Sequence, residues 1–218
     1  MNTWRKVGCC LVAAVAAFGA WAEVKWTWNG THLTEIVSDA DVAAGAVPWK
    51  FALNGAGVLS KISKQPEGTN SEIDLRDETL PEGAIITKLS DSVFEGNQTA
   101  VIIRLPETLR IVGTRAFRDC AKLRSIVPLY PTAVTNVGAT TVLKSSGSII
   151  LSGEAKVGFA TDADGNPIKT TLGERPFVKS NVMIIRFGPG IYGFENLIFN
   201  NGGSPAMVDF GCNLKSIT

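Results

Sequence analysis

One histidine, His32, stands in 218 residues. That scarcity excludes His-rich metal centres and leaves little material for a Ser-His or Cys-His catalytic group. Basic residues are in no excess: 21 Lys and Arg against 20 Asp and Glu give a formal charge of +1. A nucleic-acid backbone is therefore excluded as the main partner. No Gly-rich phosphate loop, no Cys-x-x-Cys pair with useful spacing and no nucleophile elbow occurs. Long apolar runs are also missing apart from Val7 to Ala22. That run falls short of the roughly 18–20 residues that a bilayer span needs.

The first 22 residues read as an address label. Arg5 and Lys6 supply a positive start, the apolar run follows, and Ala20-Trp21-Ala22 presents small residues at the two positions a signal peptidase reads. An uncleaved anchor is the competing reading of this segment. Cys9 and Cys10 do not suggest lipidation, because the apolar run follows them instead of preceding them. Cleavage after Ala22 leaves Cys120 and Cys212, too few for a disulfide scaffold, so a hydrophobic core must hold the chain.

That core repeats. Residues 101–117 (Val-Ile-Ile-Arg-Leu-Pro through Phe117) align without a gap on 183–199, with Ile-Ile-Arg identical, Leu105 on Phe187, Leu109 on Ile191 and Phe117 on Phe199. A second copy places Pro131 on Pro106, Gly138 on Gly113 and Val142 on Phe117. A looser one places Leu89 at the Val112 position, Ser90 at Gly113 and Phe94 at Phe117. Units of about 23–25 residues cannot enclose a core alone and become stable only by stacking on one another. Each unit reads as a strand, a turn, a second short extended stretch and a small helical turn. Ile103 and Leu105 point one way along the strand, Ile102 and Arg104 the other. Pro106 ends the strand, Gly113 and Gly138 mark a bend or close approach, and Cys120 is expected small and buried.

The stretch Leu105-Pro106-x-x-Leu109-x-x-Val112-Gly113-x-x-Ala116-Phe117-x-x-Cys120-x-x-Leu123-x-x-Ile126 resembles the unit of the BspA-like leucine-rich repeats, secreted or cell-surface solenoids of bacteria and some protists. The resemblance implies a β-rich leucine-rich-repeat solenoid of short stacked strands with turns and short helical turns, led in by an N-terminal β cap. The expected layout is a signal peptide at 1–22, a β-rich cap at 23–72, repeats at 73–142, an irregular insert with a hairpin at 143–181, and further repeats at 182–218. The final Cys212 to Ile217 echoes Cys120 to Ile126, so the array reads as uncapped at that end.

Three tryptophans, Trp26, Trp28 and Trp49, fall in the cap and none follows. They read first as a shield over the first repeat, with an aromatic sugar platform as the competing view. Asp162-Ala163-Asp164-Gly165-Asn166 lacks the third acidic position and distal glutamate of a calcium loop and reads as a hairpin turn. Leu105-Pro106-Glu107-Thr108-Leu109 is similar to a sorting signal but lies mid-chain without an apolar tail. Asn29-Gly30-Thr31 and Asn97-Gln98-Thr99 are sequons expected to be silent in a bacterial chain. Cys120 and Cys212 lie about four coils apart, roughly 19 Å at 4.8 Å per layer, beyond the ~7 Å a disulfide allows. His32 reads as solvated or packed rather than catalytic.

The function expected from the resemblance is non-catalytic binding or adhesion, with a protein or glycan on another surface as partner. Neither cofactor nor metal is called for, and no membrane span is expected after leader removal. The outward strand positions Asp74, Arg104 and Arg186, with Ile102 and Ile184 beside them, are the candidate binding residues. A ligand-free spacer is one alternative. A hydrolase using carboxylates among Glu154, Asp162, Asp164 and Glu174 in the segment 143–177 is another.

Overall fold

The computed structural model describes residues 23–142, 149–177, 180–191 and 207–210. The leader, Phe199, Cys212 and the 212–217 strand expectation lie outside them. Within them the chain is strand-rich, with open sheets and very few helices. The strands are β1 (Trp26–Trp28), β2 (His32–Glu35), β3 (Lys50–Leu53), β4 (Val58–Lys61), β5 (Glu72–Asp74), β6 (Lys88–Leu89), β7 (Ile102–Arg104), β8 (Ile111–Val112), β9 (Ser125–Val127), β10 (Asn136–Val137), β11 (Ile149–Val157), β12 (Thr171–Leu172), β13 (Ser180–Phe187) and β14 (Met207–Phe210). Among the described residues one α-helix, α1, spans Asp39–Ala43 and is capped by Ser38, and one 3-10 turn spans Asp77–Thr79.

Three sheets form. The long one runs β1-β2-β3-β4-β6-β8-β10-β12, and the two short ones run β5-β7-β9 and β11-β13-β14. The first four strands of the long sheet are antiparallel, as the Asn29-Gly30 hairpin signal predicts. From β4 onward every pairing is parallel. The chain therefore alternates: each strand of the β5-β7-β9 sheet is followed by one of the long sheet, coil after coil. Leu59, Leu89, Val112, Val137 and Leu172 stand in register in the long sheet, and Ile73, Ile103 and Ile126 in the short one. All of these are buried, so the interior consists of like residues in columns.

Two further columns close each coil. At Pro81, Pro106 and Pro131 the carbonyl accepts the N–H three residues on, and Gly188 does the same for Ile191. The equivalence of Pro106 and Gly188 was expected from the repeat alignment. On the remaining side the N–H groups of Ser92, Phe94 and Gly96 donate to Thr114, Ala116 and Arg118, and those of Arg115 and Phe117 donate to Ala139 and Thr141. This third hydrogen-bond ladder stacks Phe94 on Phe117, with ring centroids 5.5 Å apart and planes 7° apart. Phe51 of the cap meets Phe94 edge-on at 5.5 Å, and Trp49 stacks on Phe51 at 6.0 Å. Cap and coils thus share one aromatic column.

The coils approach each other so closely at one corner that only glycine fits. A Cβ on Gly113, Gly138 or Gly173 would run into the backbone of the preceding coil at Ser90, Thr114 or Ala139. Two residues further on, Ser92, Arg115, Thr140 and Arg175 all adopt positive φ, between 48 and 58°. Four non-glycine residues in that sparsely populated region at equivalent places mark a shared tight turn.

The segment expected as an irregular insert with a hairpin at 143–181 contains a hairpin and a repeat-like stretch. Leu172-Gly173-Glu174-Arg175-Pro176-Phe177 is another copy of Val112-Gly113-Thr114-Arg115-Ala116-Phe117, and β11 precedes it as β9 precedes β10. The copy escapes an ungapped comparison because a hairpin around Thr161 and Pro167, turning at Gly165, lengthens this coil. Phe177 accordingly continues the aromatic interior, edge-on to Tyr130 at 5.8 Å.

Two substitutions test this packing. Phe117→Ala should cost about 3–5 kcal/mol in chemical denaturation, as for other buried aromatics, and a loss below ~1 kcal/mol would contradict the column. Gly138→Ala should cost about 1–3 kcal/mol, because the added methyl meets backbone that cannot move aside. In Gly165→Ala nothing lies within 4 Å of the new methyl, so only the smaller penalty of its φ of +81° applies.

Candidate functional site

The strand face around β7 carries the candidates read from the sequence, and the structure treats them unequally. Asp74 and Arg104 are register partners on adjacent strands. Arg186 lies on the other short sheet, opposite Lys156 and Asp209. Arg104 is half-exposed, and its Nε donates to Glu72 Oε1 at 2.6 Å. Arg186 Nη1 donates to Asp209 Oδ2 at 2.6 Å. Both guanidinium groups therefore lie at the surface but engaged with carboxylates of their own sheets.

Asp74 is a correction: its side chain is only 2% exposed and is not an open binding position. It occupies the first strand of its ladder, where the cap closes over it. Arg76 donates through Nε to Oδ1 at 2.9 Å and through Nη2 to Oδ2 at 2.8 Å, and Lys25 Nζ reaches Oδ2 at 3.1 Å. Burial pushes this carboxyl upward, but the hydrogen bonds from Arg76 and Lys25 outweigh it and hold the group at about 2. The backbone carbonyl of Asp74 accepts the Trp26 indole N–H and the Thr79 hydroxyl. Asp74 thus ties the cap to the first coil.

The other two indoles donate within the cap itself. Trp28 Nε1 donates to Leu53 O at 3.1 Å, and Trp49 Nε1 donates to Asn70 O at 2.9 Å. Trp26 and Trp49 are buried, which leaves no row of open rings for a sugar platform.

The remaining motifs resolve locally. Asp162 Oδ1 accepts the N–H groups of Asp164 and Asn166, and these bonds hold its carboxyl below the usual range within an exposed turn. Leu105 and Leu109 are core residues, so the motif similar to a sorting signal is interior to a coil. Asn97 is buried with its side-chain oxygen accepting from Thr99 and Ala100, whereas Asn29 is exposed in a turn closed by Thr31 and His32. Cys120 is a free, buried thiol donating to Phe94 O, and burial pushes it up to about 12. His32 Nδ1 lies 2.9 Å from the Thr31 hydroxyl. Of the carboxylates considered for hydrolysis, Glu174 pairs with Arg175 and Asp162 is committed to its turn, while the Glu154 side chain lies outside the described set. Among the described residues no group of three His, Cys, Asp or Glu is placed to hold a metal ion, and no helix is long and apolar enough to cross a membrane.

Sequence reasoning missed the outer face of the long sheet. There Val58, Lys88, Ile111, Asn136 and Thr171 form one cross-strand row of partly or fully exposed side chains. Two-residue strands such as β6, β8, β10 and β12 are too short for an alternating pattern to announce itself. The usable signal was the residue preceding each ladder Leu or Val.

No family model matches this chain, and no curated protein matches it. Among solved structures, a leucine-rich cell-surface protein from Faecalibacterium prausnitzii A2-165 is similar at 14% identity and a TM-score of 0.38, over 78% of this chain and 52% of that one. The chain thus spans about half the length of that protein, and at such distance the likeness carries no argument.

Asp74→Asn tests the clamp. An ordinary Asp titrates near 3.9 in the unfolded chain, so a folded value of about 2 means the clamp's contribution is complete above about pH 4 and lost as pH falls toward 2. The variant should melt lower than the parent at neutral pH, and the gap between the two should close across that acid range.

Proposed function

We propose that this chain is a secreted or cell-surface, non-catalytic leucine-rich-repeat solenoid of the BspA-like type that binds a protein or glycan on another surface. The observation that carries this reading is the pair of parallel ladders built from coils repeating every 23 to 25 residues at Leu89, Val112 and Val137. Each coil uses its inward residues for stacking and sets its outward residues in flat, half-exposed rows. Such rows are suited to recognising an extended partner. The leader-like start supports export. Arg104 and Arg186 remain candidate contacts, since exchanging an internal ion pair for an external one at a half-exposed site costs little.

The test is a binding screen of the full-length protein against arrayed glycans and matrix proteins, read alongside its mass in solution. Saturable capture of at least one ligand, released unaltered, is the expected result. Chemical conversion of a captured ligand would overturn the non-catalytic reading. Capture of nothing in the screen would leave a spacer role in its place.

A further inference from the structure

The face of the long sheet differs from the two short sheets in how its polar groups are used. On the short sheets Glu72, Asp74, Arg104, Arg186 and Asp209 neutralise one another or nearby side chains. On the long sheet, alternation turns Leu33, Phe51, Leu59, Leu89, Val112, Val137 and Leu172 inward, where they are buried. It turns Thr34, Lys50, Ser60, Lys88, Asn136 and Thr171 outward, and none of these six is buried. Thr34 lies across from Lys50, Ser60 lies across from Ala52, and Lys88, Asn136 and Thr171 share the row through Ile111. Among the described residues none of the six side chains has an ion-pair partner. No Asp or Glu occupies an outward position on the eight strands. Glu35 of β2 turns to the other side, where its carboxylate accepts from the Trp49 backbone N–H and the Asn70 amide.

Relying on the binding reading above, we infer that this outer face docks an acidic polysaccharide. Eight strands at about 4.8 Å spacing give a face roughly 34 Å across, long enough to lay several sugar residues of an extended chain end to end. Two unpaired ammonium groups supply attraction for uronate or sulfate groups, and the hydroxyls of Thr34, Ser60 and Thr171 and the amide of Asn136 on the same face match sugar hydroxyls. The outward positions hold no Phe, Tyr or Trp, so the face lacks the large aromatic anchors on which protein partners depend. Its charge is too thin for the many phosphates of a nucleic acid. Exposed lysines act through weak, screened attraction, which predicts modest, salt-sensitive affinity.

The experiment uses the full-length protein on immobilised polygalacturonate and on neutral dextran. We expect retention on the acidic polymer only, abolished in roughly 0.5 M salt, where the screening length is near 4 Å. The double variant K50E/K88E, with an unchanged melting temperature, should lose at least about tenfold in apparent affinity, since each charge reversal adds repulsion where there was attraction. K122E/R124E reverses the same number of exposed charges off this face and should bind as the parent does. Equal loss in both variants would reduce the effect to net charge and overturn the assignment, as would equal retention on dextran. Capture of a protein or neutral glycan with no binding to polygalacturonate would overturn this inference while leaving the binding function standing. Failure of every ligand in the wider screen would remove both.

Discussion

Close backbone contact between successive coils is the constraint from which the rest of this structure follows. Around each turn the main chain donates hydrogen bonds to its neighbour on three sides: through β5-β7-β9, through the long sheet, and through the ladder from Ser92 to Thr141. Pairing on three sides fixes the separation of the coils, and that separation dictates what each side chain can be. Glycine is required where Gly113, Gly138 and Gly173 meet the coil before them. Aliphatic residues fill the two strand columns, and flat rings fill the wide corner at Phe94 and Phe117.

An array built this way has an exposed first layer, and the cap answers that problem with directed hydrogen bonds as well as apolar cover. The Trp26 and Trp49 indoles donate to carbonyls at Asp74 and Asn70, beside the first short strand, and Asn70 itself accepts the Glu72 N–H. These contacts occupy polar groups that an edge strand would otherwise offer to another chain. Phe51 then carries the aromatic column out of the coils and into the cap, so the two parts share one interior.

The same regularity separates the faces by use. On the short sheets Glu72 pairs with Arg104 and Arg186 with Asp209, whereas the long sheet presents hydroxyl, amide and ammonium groups without ionic partners among the described residues. A stack of coils needs nothing from these outward positions, which leaves them open to recognition. The buried polar residue Asp74 sits at the junction of cap and coil, where burial is compensated by two cations.

Much of this was legible in the sequence because each coil meets a near-copy of itself: the ladder Ile103, Val112 and Phe117 positions repeat in the chain as they repeat in space. The hairpin of the lengthened coil hid the Leu172 to Phe177 copy, since a loop that projects from the stack changes the spacing without changing the fold. Sequence alone also pointed to an interior Cys120 and to tryptophans used for cover, and Cys120, Trp26 and Trp49 are buried. Only the tertiary structure decided that Asp74 is enclosed while Arg104, its neighbour in register, stays at the surface. The physical reason is position in the stack. The two residues occupy equivalent places in their coils, but Asp74 belongs to the first one, and its surroundings come from Lys25 and Trp26, some fifty residues away in the chain.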